Sequence, residues 1–266
     1  MTPTTDTPTT APYVLRSDAG GVASLTLNRG ELYNPLSMAM MQALSAQLDA
    51  IAHDTSIRTV VLGAHGKGFC AGHDLREVQA QQDAAWQQAL FDCCNQMMMR
   101  LQRLPQPVIA RVHGIATAAG CQLVSMCDLA VASSDARFAL PGVSIGLFCS
   151  TPAVGVARNV SRKRAMELLL TGESIDAATA LDWGLVNRVV RPEQIDAEIA
   201  KFTSAIAARS AAVIALGKPA FYEQVDLGLT AAYTSAAQAM TRNLQHPAAH
   251  EGIDAFLVKR KPLWPS

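Results

Sequence analysis

The alternation of short apolar segments with helical patterns is the feature that most constrains the fold of this chain. Apolar segments of strand length begin near residues 22, 59, 108 and 129, and helical periodicity or a glycine-rich turn separates each from the next. Strands that alternate with helices pack as the layers of an α/β fold. The sequence therefore predicts an α/β body.

Two adjacent patterns define the start of this body. Ala23, Leu25 and Leu27 alternate with other residues after a Gly-Gly pair, which predicts a strand with one buried face. The helix-capping stretch 34–37 then precedes apolar residues at three- and four-residue spacing, namely Met40, Leu44, Leu48 and Ile51. A longer helix is predicted from about residue 82 to 104, where prolines follow.

The chain is predicted to divide into three parts. Residues 1–12, MTPTTDTPTTAP, contain few residues that could join a core, which predicts a disordered tail. Residues 13–191 hold the alternating pattern, and residues 192–266 are predicted to be a helical C-terminal region. This helical region carries apolar side chains that we expect to pack on another subunit or back on the body: Phe202, Phe221, Tyr222, Tyr233 and Met240.

The charge balance argues against two classes of partner. The chain has 22 Lys plus Arg and 22 Asp plus Glu among its 266 residues, so its formal net charge is zero. A neutral chain lacks the broad positive field that nucleic acid or an anionic membrane attracts. No apolar run reaches the roughly 18 to 20 residues that a membrane span needs. We therefore expect neither a nucleic-acid nor a membrane partner.

The tail and the cysteines bear on the cellular compartment. The first twelve residues contain neither Lys nor Arg, unlike a secretory signal or an Arg-rich transit peptide. The six cysteines form no CxxC pair, and most of them lie in apolar segments, as buried reduced thiols do. The six histidines show no metal-ligand spacing. These features predict a cytoplasmic protein without a bound metal.

Two segments partly match the motifs of other classes of protein, a nucleotide-binding protein and a hydrolase. The Gly-rich segment 63–69 lacks the spacing of a phosphate-binding P-loop. The segment 142–146 matches GxSxG, the nucleophile elbow of α/β-hydrolases, and would make Ser144 the nucleophile. That elbow needs a strand directly before it, whereas Pro141 cannot donate to a sheet. A serine hydrolase, with Asp182 and His246 as partners, stays an alternative.

Two further segments have the composition of an anion-binding site. The turn Cys70–Asp74 follows a buried strand, and Ala118–Gly120 opens a helix. The first N–H groups of a helix have no partner within it and lie at the positive end of its dipole. Ala and Gly leave room for a substrate oxygen to reach such groups. Together, the two segments can stabilise a developing oxyanion.

Five segments, in order, resemble the signature segments of the crotonase (enoyl-CoA hydratase/isomerase) superfamily. They are GKGFCAGHDLRE, PVIARVHGIATAAGCQLVSMCDLAVAS, RFALPGVSIGL, RAMELLLTGESIDAATALDWGLVNRVV and EGIDAFLVKRKPLW, and the resemblance extends over about residues 13–264. It implies a crotonase-like spiral of ββα turns with a helical C-terminal trimerisation region. It also implies an acyl-CoA ligand, with CoA as part of the substrate and no separate cofactor, and a homotrimer or hexamer.

The resemblance assigns roles to particular residues. The oxyanion would be bound by the backbone N–H groups of His73 and Ala119. The chain around the oxyanion turns would border the CoA, through Ala71, Gly72, Asp74, Leu75 and Gly120. Phe256 and Lys259 match the C-terminal aromatic and lysine that reach the CoA of a neighbouring subunit.

The sequence departs from the family where the chemistry takes place. Hydratases of this family use two glutamates, and their positions here are Gln122 and Gly142; some isomerases use an aspartate that falls near Ser150. Gln does not gain or lose a proton near neutral pH, and glycine has no side chain. Because general acid–base catalysis is worth about 10²- to 10⁴-fold, ordinary hydratase activity is predicted to be weak or absent. Cys149 and Ser150 are candidates to replace the missing acids.

Two hypotheses follow from the sequence. The first is an enoyl-CoA hydratase/isomerase-type protein that stabilises a thioester enolate. Its reaction would then be one that needs less acid–base machinery, such as isomerisation, thioester hydrolysis or decarboxylation. The second is a non-catalytic acyl-CoA binding protein that kept the pocket and lost the acids.

Overall fold

A computed structural model describes residues 11–265 of the chain. The disordered tail predicted at residues 1–12 lies outside this range except for its last two residues. Those two are tied to the body, because the Arg29 guanidinium donates hydrogen bonds to the backbone oxygens of Ala11 at 2.8 Å and Pro12 at 3.1 Å.

The described chain forms ten strands. They are β1 (Val14–Ala19), β2 (Val22–Leu27), β3 (Thr59–Ala64), β4 (Gly68–Cys70), β5 (Val108–Val112), β6 (Ile115–Thr117), β7 (Leu129–Ser133), β8 (Arg137–Ala139), β9 (Ile175–Asp176) and β10 (Arg188–Val190).

Eleven α-helices accompany these strands within residues 11–265. They are α1 (Met38–Ala52), α2 (Leu75–Ala80), α3 (Ala84–Arg103), α4 (Ala119–Met126), α5 (Ser150–Val156), α6 (Arg162–Thr171), α7 (Ala177–Asp182), α8 (Ile195–Ala207), α9 (Ala211–Val225), α10 (Leu229–Leu244) and α11 (Pro247–Leu257). Short 3₁₀ helices occupy Gly30–Leu32, Pro141–Ile145 and Pro192–Gln194.

The strands build two sheets. The six-stranded sheet has the order β1-β2-β3-β5-β7-β10, and the four-stranded sheet has the order β4-β6-β8-β9. The β1–β2 pair is antiparallel, and the other pairs of the larger sheet are parallel. Successive turns of the chain place one strand in each sheet and then a helix, as in β3-β4-α3 and β5-β6-α4. This repeating ββα path is the α/β spiral predicted from the sequence.

The main core lies between the sheets and the helices α1, α3 and α4. The predicted stripe of α1 is fully buried, and Ser37 caps the helix by accepting a hydrogen bond from the Met40 N–H at 3.2 Å. The face of the larger sheet away from this core packs on α8, through Ile195 and Ile199 against Val61, Ile109 and Val131. The predicted helix at 82–104 is α3, and its buried residues include Leu90, Cys94, Met97 and Leu101.

The helices α9, α10 and α11 extend from this body. In the described chain no residue of α9 is buried, and α10 and α11 pack mainly on α9 and on each other. One ion pair whose side chains are largely shielded from solvent ties α9 to the body, with the Lys218 Nζ 2.7 Å from the Asp128 Oδ2. Within residues 11–265 no single helix has the length and apolarity of a membrane span. Two consecutive helical segments, 192–207 and 211–225, reach that length and apolarity only when they are taken together, and a bend of 105° separates them.

Candidate active site

The two predicted oxyanion segments lie against each other. The helix start of α4 packs on the end of β4, where a Cβ at Gly120 would overlap the backbone oxygen of Cys70. Gly72 has a left-handed φ of +98°, and a Cβ there would lie 2.9 Å from the Ala118 Cβ and 3.3 Å from the Ala119 nitrogen. Glycines at positions 72 and 120 therefore allow a close backbone approach that other residues would prevent.

The backbone N–H groups of His73 and Ala119 have no acceptor in the described part of the chain. Ala119 is the first residue of α4, so its N–H is one of the unpaired donors of a helix start. Ala118, just before it, has φ 49° and ψ −121°, a strained conformation for a residue with a side chain. The Ala118 N–H donates to Ala139 at 2.9 Å, which fixes this turn. The arrangement leaves two free donors on adjoining segments.

A buried asparagine that the sequence reasoning missed positions the first segment. Asn34 is fully buried; its Oδ1 accepts from the Arg29 N–H at 2.8 Å, and its Nδ2 donates to His65 at 2.9 Å and Gly68 at 3.0 Å. The backbone just after Asn34 also holds the oxyanion turn at Gly72 in place, because the Leu36 N–H donates a hydrogen bond to the Gly72 oxygen at 2.7 Å. The signal in the sequence was the Asn-Pro pair, which predicted only a helix cap.

The side chain of His73 packs away from solvent. Its ring meets Phe91 edge-on at 5.5 Å between centroids, and its Nδ1 lies 3.3 Å from the Leu36 oxygen. Burial lowers the pKa of His73, so the imidazole is neutral, with its proton on the Nδ1 that faces Leu36. Its Nε2 is buried without a hydrogen-bond partner among the described residues.

Gln122 lies in the first turn of α4, three residues beyond Ala119. Its side chain is buried, with 4% of the residue exposed, and its Oε1 accepts no hydrogen bond from residues 11–265. An unpaired buried acceptor costs about 1–3 kcal/mol, so this oxygen favours a donor from a bound water or ligand. The amide itself cannot serve as an acid or a base.

Gly142, the other position at which the sequence departs from the family pattern, lies in a loop that is held by a hydrogen bond between its own residues. The Leu147 N–H donates to the Gly142 oxygen at 2.9 Å. Cys149 is 7% exposed, and burial raises the pKa of its thiol, although a hydrogen bond from the Gly142 N–H opposes this rise. The thiol is therefore protonated near neutral pH. Ser150 is exposed at the start of α5, and its Oγ lies 3.4 Å from the Phe148 oxygen.

The GxSxG segment does not have the geometry of a nucleophile elbow. Residues Pro141–Ile145 form a 3₁₀ helix, Gly146 ends it in the left-handed region, and the next helix begins only at Ser150. Ser144 is exposed within this 3₁₀ helix. These features do not favour the serine hydrolase.

The remaining predicted residues fall into two groups. Ala71 and Leu75 are exposed beside the first segment, and Asp74 caps α2 by accepting from the Arg76 N–H at 3.0 Å. Phe256 lies in the last turn of α11 and is 81% exposed, and Lys259 follows two residues after the end of that helix. The structure thus groups the first set around the site and leaves the C-terminal pair at the surface of the subunit.

Comparison with known proteins places this geometry in a family. The enoyl-CoA hydratase/isomerase profile matches residues 17–266. The chain therefore belongs to the enoyl-CoA hydratase/isomerase family and has the crotonase fold, as the sequence resemblance predicted. Crystal structures of enoyl-CoA hydratase from Mycobacterium smegmatis and of human enoyl-CoA hydratase domain-containing protein 3 superimpose with TM-scores of 0.94 and 0.92. Their sequence identities are 52% and 42%, with 96% and 95% of this chain and 99% and 100% of those chains covered.

The named relatives correct the predicted location. The enoyl-CoA hydratase domain-containing protein 3 of Rattus norvegicus is 43% identical over 244 residues, which are 92% of this chain and 81% of that protein. It and four vertebrate proteins of the same name all carry the word mitochondrial. The expectation of a cytoplasmic protein is therefore contradicted. The expectation came from a tail without Lys or Arg and from reduced thiols, and reduced thiols suit either compartment.

Proposed function

We propose that this chain binds acyl-CoA thioesters and stabilises the thioester enolate with the backbone N–H groups of His73 and Ala119. The observation that carries the proposal is the pair of unengaged donors on adjoining segments, with glycine at position 72 keeping the approach to Ala119 open. A thioester oxygen gains negative charge as an enolate forms, and preorganised N–H donors stabilise that charge.

Ordinary hydratase activity is not part of the proposal. Addition of water to an enoyl thioester needs one group that takes a proton and one that gives it. The amide of Gln122 does neither, and Gly142 has no side chain. The surroundings of Gly142 also support a loss of hydratase activity, because a larger side chain does not fit there. A Cβ at this position would lie 2.7 Å from the Leu147 oxygen and 2.8 Å from the Cys149 Sγ.

The CoA part of the ligand is proposed to border Ala71, Gly72, Asp74, Leu75 and Gly120. Phe256 and Lys259 would reach the CoA of a neighbouring subunit in a homotrimer or hexamer. Support for the subunit contact comes from the exposed apolar side chains of the C-terminal helices, among them Leu229, Tyr233, Met240 and Phe256. Side chains of this size gain about 1.5–3 kcal/mol each when they leave water.

Crotonyl-CoA tests the proposal with two readouts on one sample. We expect calorimetric titration to show binding, while hydration falls short of ordinary enoyl-CoA hydratase rates by about 10²- to 10⁴-fold. Hydration at ordinary rates would contradict the loss of acid–base function. Absence of binding to crotonyl-CoA and to acetyl-CoA would contradict the proposed ligand class.

The variant Gln122→Glu tests whether the pocket is intact apart from its missing acids. It restores one carboxylate at a position with room for a side chain of the same length. Gly142→Glu is a poor companion, because its Cβ would overlap the backbone of the loop at Leu147. Hydration that appears with Gln122→Glu would show that the pocket is intact and lacks only its acids, whereas no hydration from a variant that folds and binds crotonyl-CoA would show that the surrounding pocket has diverged as well.

A further inference from the structure

A cleft outside the oxyanion site lies where the strands β3 and β5 begin. Its volume is about 570 Å³, which is in the range of sites that bind small molecules. The residues just before these strands, the first turn of α9 and the C-terminal residues 264–265 form its walls. The oxyanion segments come after the ends of β3 and β5 in the chain, and none of their residues lines the cleft. The cleft is therefore a separate site.

Apolar side chains form much of the wall of this cleft. Pro105, Pro107 and Trp264 present rings, and Ile214 of α9 adds a branched side chain. The indole of Trp264 is held in place, because its N–H donates to the Ala208 oxygen at 2.9 Å. Flat apolar groups pack well against rings of this kind, so the wall suits an aromatic ligand.

The cleft also has a positively charged side. The half-buried Arg58 lines it and donates from Nη2 to the Arg209 oxygen at 2.6 Å, but no ion pair joins Arg58 to a carboxylate of residues 11–265. Arg209 directly precedes the N-cap of α9. The N–H groups of Ala211 and Ala212, which line the cleft at this helix start, have no acceptor in the described chain. A guanidinium beside the positive end of a helix favours an anionic group.

A buried amide in the wall indicates that the ligand also carries a hydrogen-bond donor. Gln106 lines the cleft and is only 8% exposed. Its Nε2 donates to the oxygens of Ile51 at 2.9 Å and Asp54 at 3.2 Å, which fixes the orientation of the amide. Its Oε1 has no donor among the described residues. A buried acceptor favours a partner that can donate, such as a hydroxyl group.

We propose that this cleft binds a small aromatic acid that carries a hydroxyl group. The carboxylate pairs with Arg58 and the first N–H groups of α9, the ring packs on the prolines and Trp264, and the hydroxyl donates to the Gln106 Oε1. A ligand held in this way connects the starts of β3 and β5 to α9 and to the C-terminal residues. It binds independently of the proposed acyl-CoA site.

Three related compounds test the chemistry of this site by calorimetric titration. The compound para-hydroxyphenylpropanoate has all three groups, phenylpropanoate lacks the hydroxyl, and para-propylphenol lacks the carboxylate. We expect the first to bind the wild-type protein and each of the others to bind about tenfold more weakly, as the loss of a hydrogen bond or an ion pair predicts. No binding of the first compound at millimolar concentration would overturn the proposal. Equal affinities of all three would overturn it as well.

Two variants test the location of the site. Arg58→Gln removes the cation and should weaken the binding of para-hydroxyphenylpropanoate about tenfold. Ala212→Asp should fold, because an acid suits the first turn of a helix, but its carboxylate should occupy the place of the ligand's carboxylate and weaken binding by at least a similar factor. Arg162→Gln, which removes an exposed cation of α6, is the control and should bind as the wild type does.

The variants decide the outcome even if one of them is unstable. Unchanged affinity in a folded Arg58→Gln or Ala212→Asp protein would place the binding elsewhere and overturn the proposal. If Arg58→Gln does not fold, as circular dichroism shows, Ala212→Asp alone carries the test. A similar loss of affinity in Arg162→Gln would show a general effect of charge and would also overturn the proposed site.

Discussion

At the scale of single residues, the glycines of the site distinguish two kinds of constraint. Gly72 and Gly120 keep the oxyanion segments close together, whereas Gly142 makes room for a loop that returns over it. The sequence predicted the first kind, because small residues in a turn and at a helix start are local signals. The closure of Leu147 and Cys149 over Gly142 is a tertiary contact, and no pattern in the chain indicates it.

The fit around Gly142 gives a stability prediction. Gly142→Ala should lower the free energy of unfolding by about 1–3 kcal/mol, because the new methyl group meets the Leu147 oxygen and the loop must shift. Chemical denaturation measures this change. Gly217→Ala is the control: that helical glycine has open space around its Cβ position, and alanine there should stabilise by about 0.5–1 kcal/mol. An unchanged stability for Gly142→Ala would contradict the closed loop.

At the scale of elements, the sequence predicted four central strands of the larger sheet and missed the smaller sheet. The strands β2, β3, β5 and β7 have five or six residues each, enough to show apolar patterns. The strands β4, β6 and β8 have three residues and β9 has two, which is too few for a periodicity to appear. The missed strands matter for function, because β4 and β6 lead directly into the two oxyanion segments.

The attachment of α9 to the body is an element-scale feature that can be tested. Lys218 donates to the oxygens of Leu101 at 2.8 Å and Gln106 at 3.0 Å as well as pairing with Asp128, and Tyr222 donates to the same carboxylate at 2.9 Å. Removing one partner leaves the other charge buried and unpaired, which costs about 3–5 kcal/mol. Lys218→Met should lose stability of this order in chemical denaturation, with faster proteolysis near α9.

A surface lysine provides the control for this variant. Lys201 pairs with Glu198, but its side chain is largely exposed. An exposed pair contributes little, so Lys201→Met should unfold near the wild-type midpoint. Equal and small effects of both variants would show that the buried pair does not hold α9.

At the scale of the whole molecule, the C-terminal helices expose several large apolar side chains. Leu229, Tyr233 and Met240 lie on α10, and Phe256 and Leu257 lie at the end of α11. Exposed apolar patches on a protein surface commonly mark protein–protein contacts. The apolar residues of the helical region indicated packing on another subunit or back on the body. They did not give the number of subunits, which depends on surfaces from more than one chain.

If the protein is an oligomer, one substitution in the subunit contact should lower the mass of the particle that sediments. Leu229 is 76% exposed in the subunit, and Leu229→Asp would place a charge in the proposed contact. We expect the wild type to sediment as a trimer or hexamer and the variant to shift toward the monomer. A wild-type monomer in analytical ultracentrifugation, or a variant with the wild-type mass, would contradict this contact.

The central claim is that two backbone N–H groups bind the thioester oxygen, and a comparison of two ligands tests it most directly. Crotonyl-CoA has that oxygen, whereas S-butyl-CoA, a thioether of equal chain length, lacks it. We predict that the wild type binds the thioester about tenfold more tightly in calorimetry, as expected for two hydrogen bonds. Gly72→Ala should abolish the difference by covering the Ala119 N–H, while Gly20→Ala, also at a positive φ but with open space around it, should keep it. Equal affinities of the wild-type protein for the two ligands would contradict the claim.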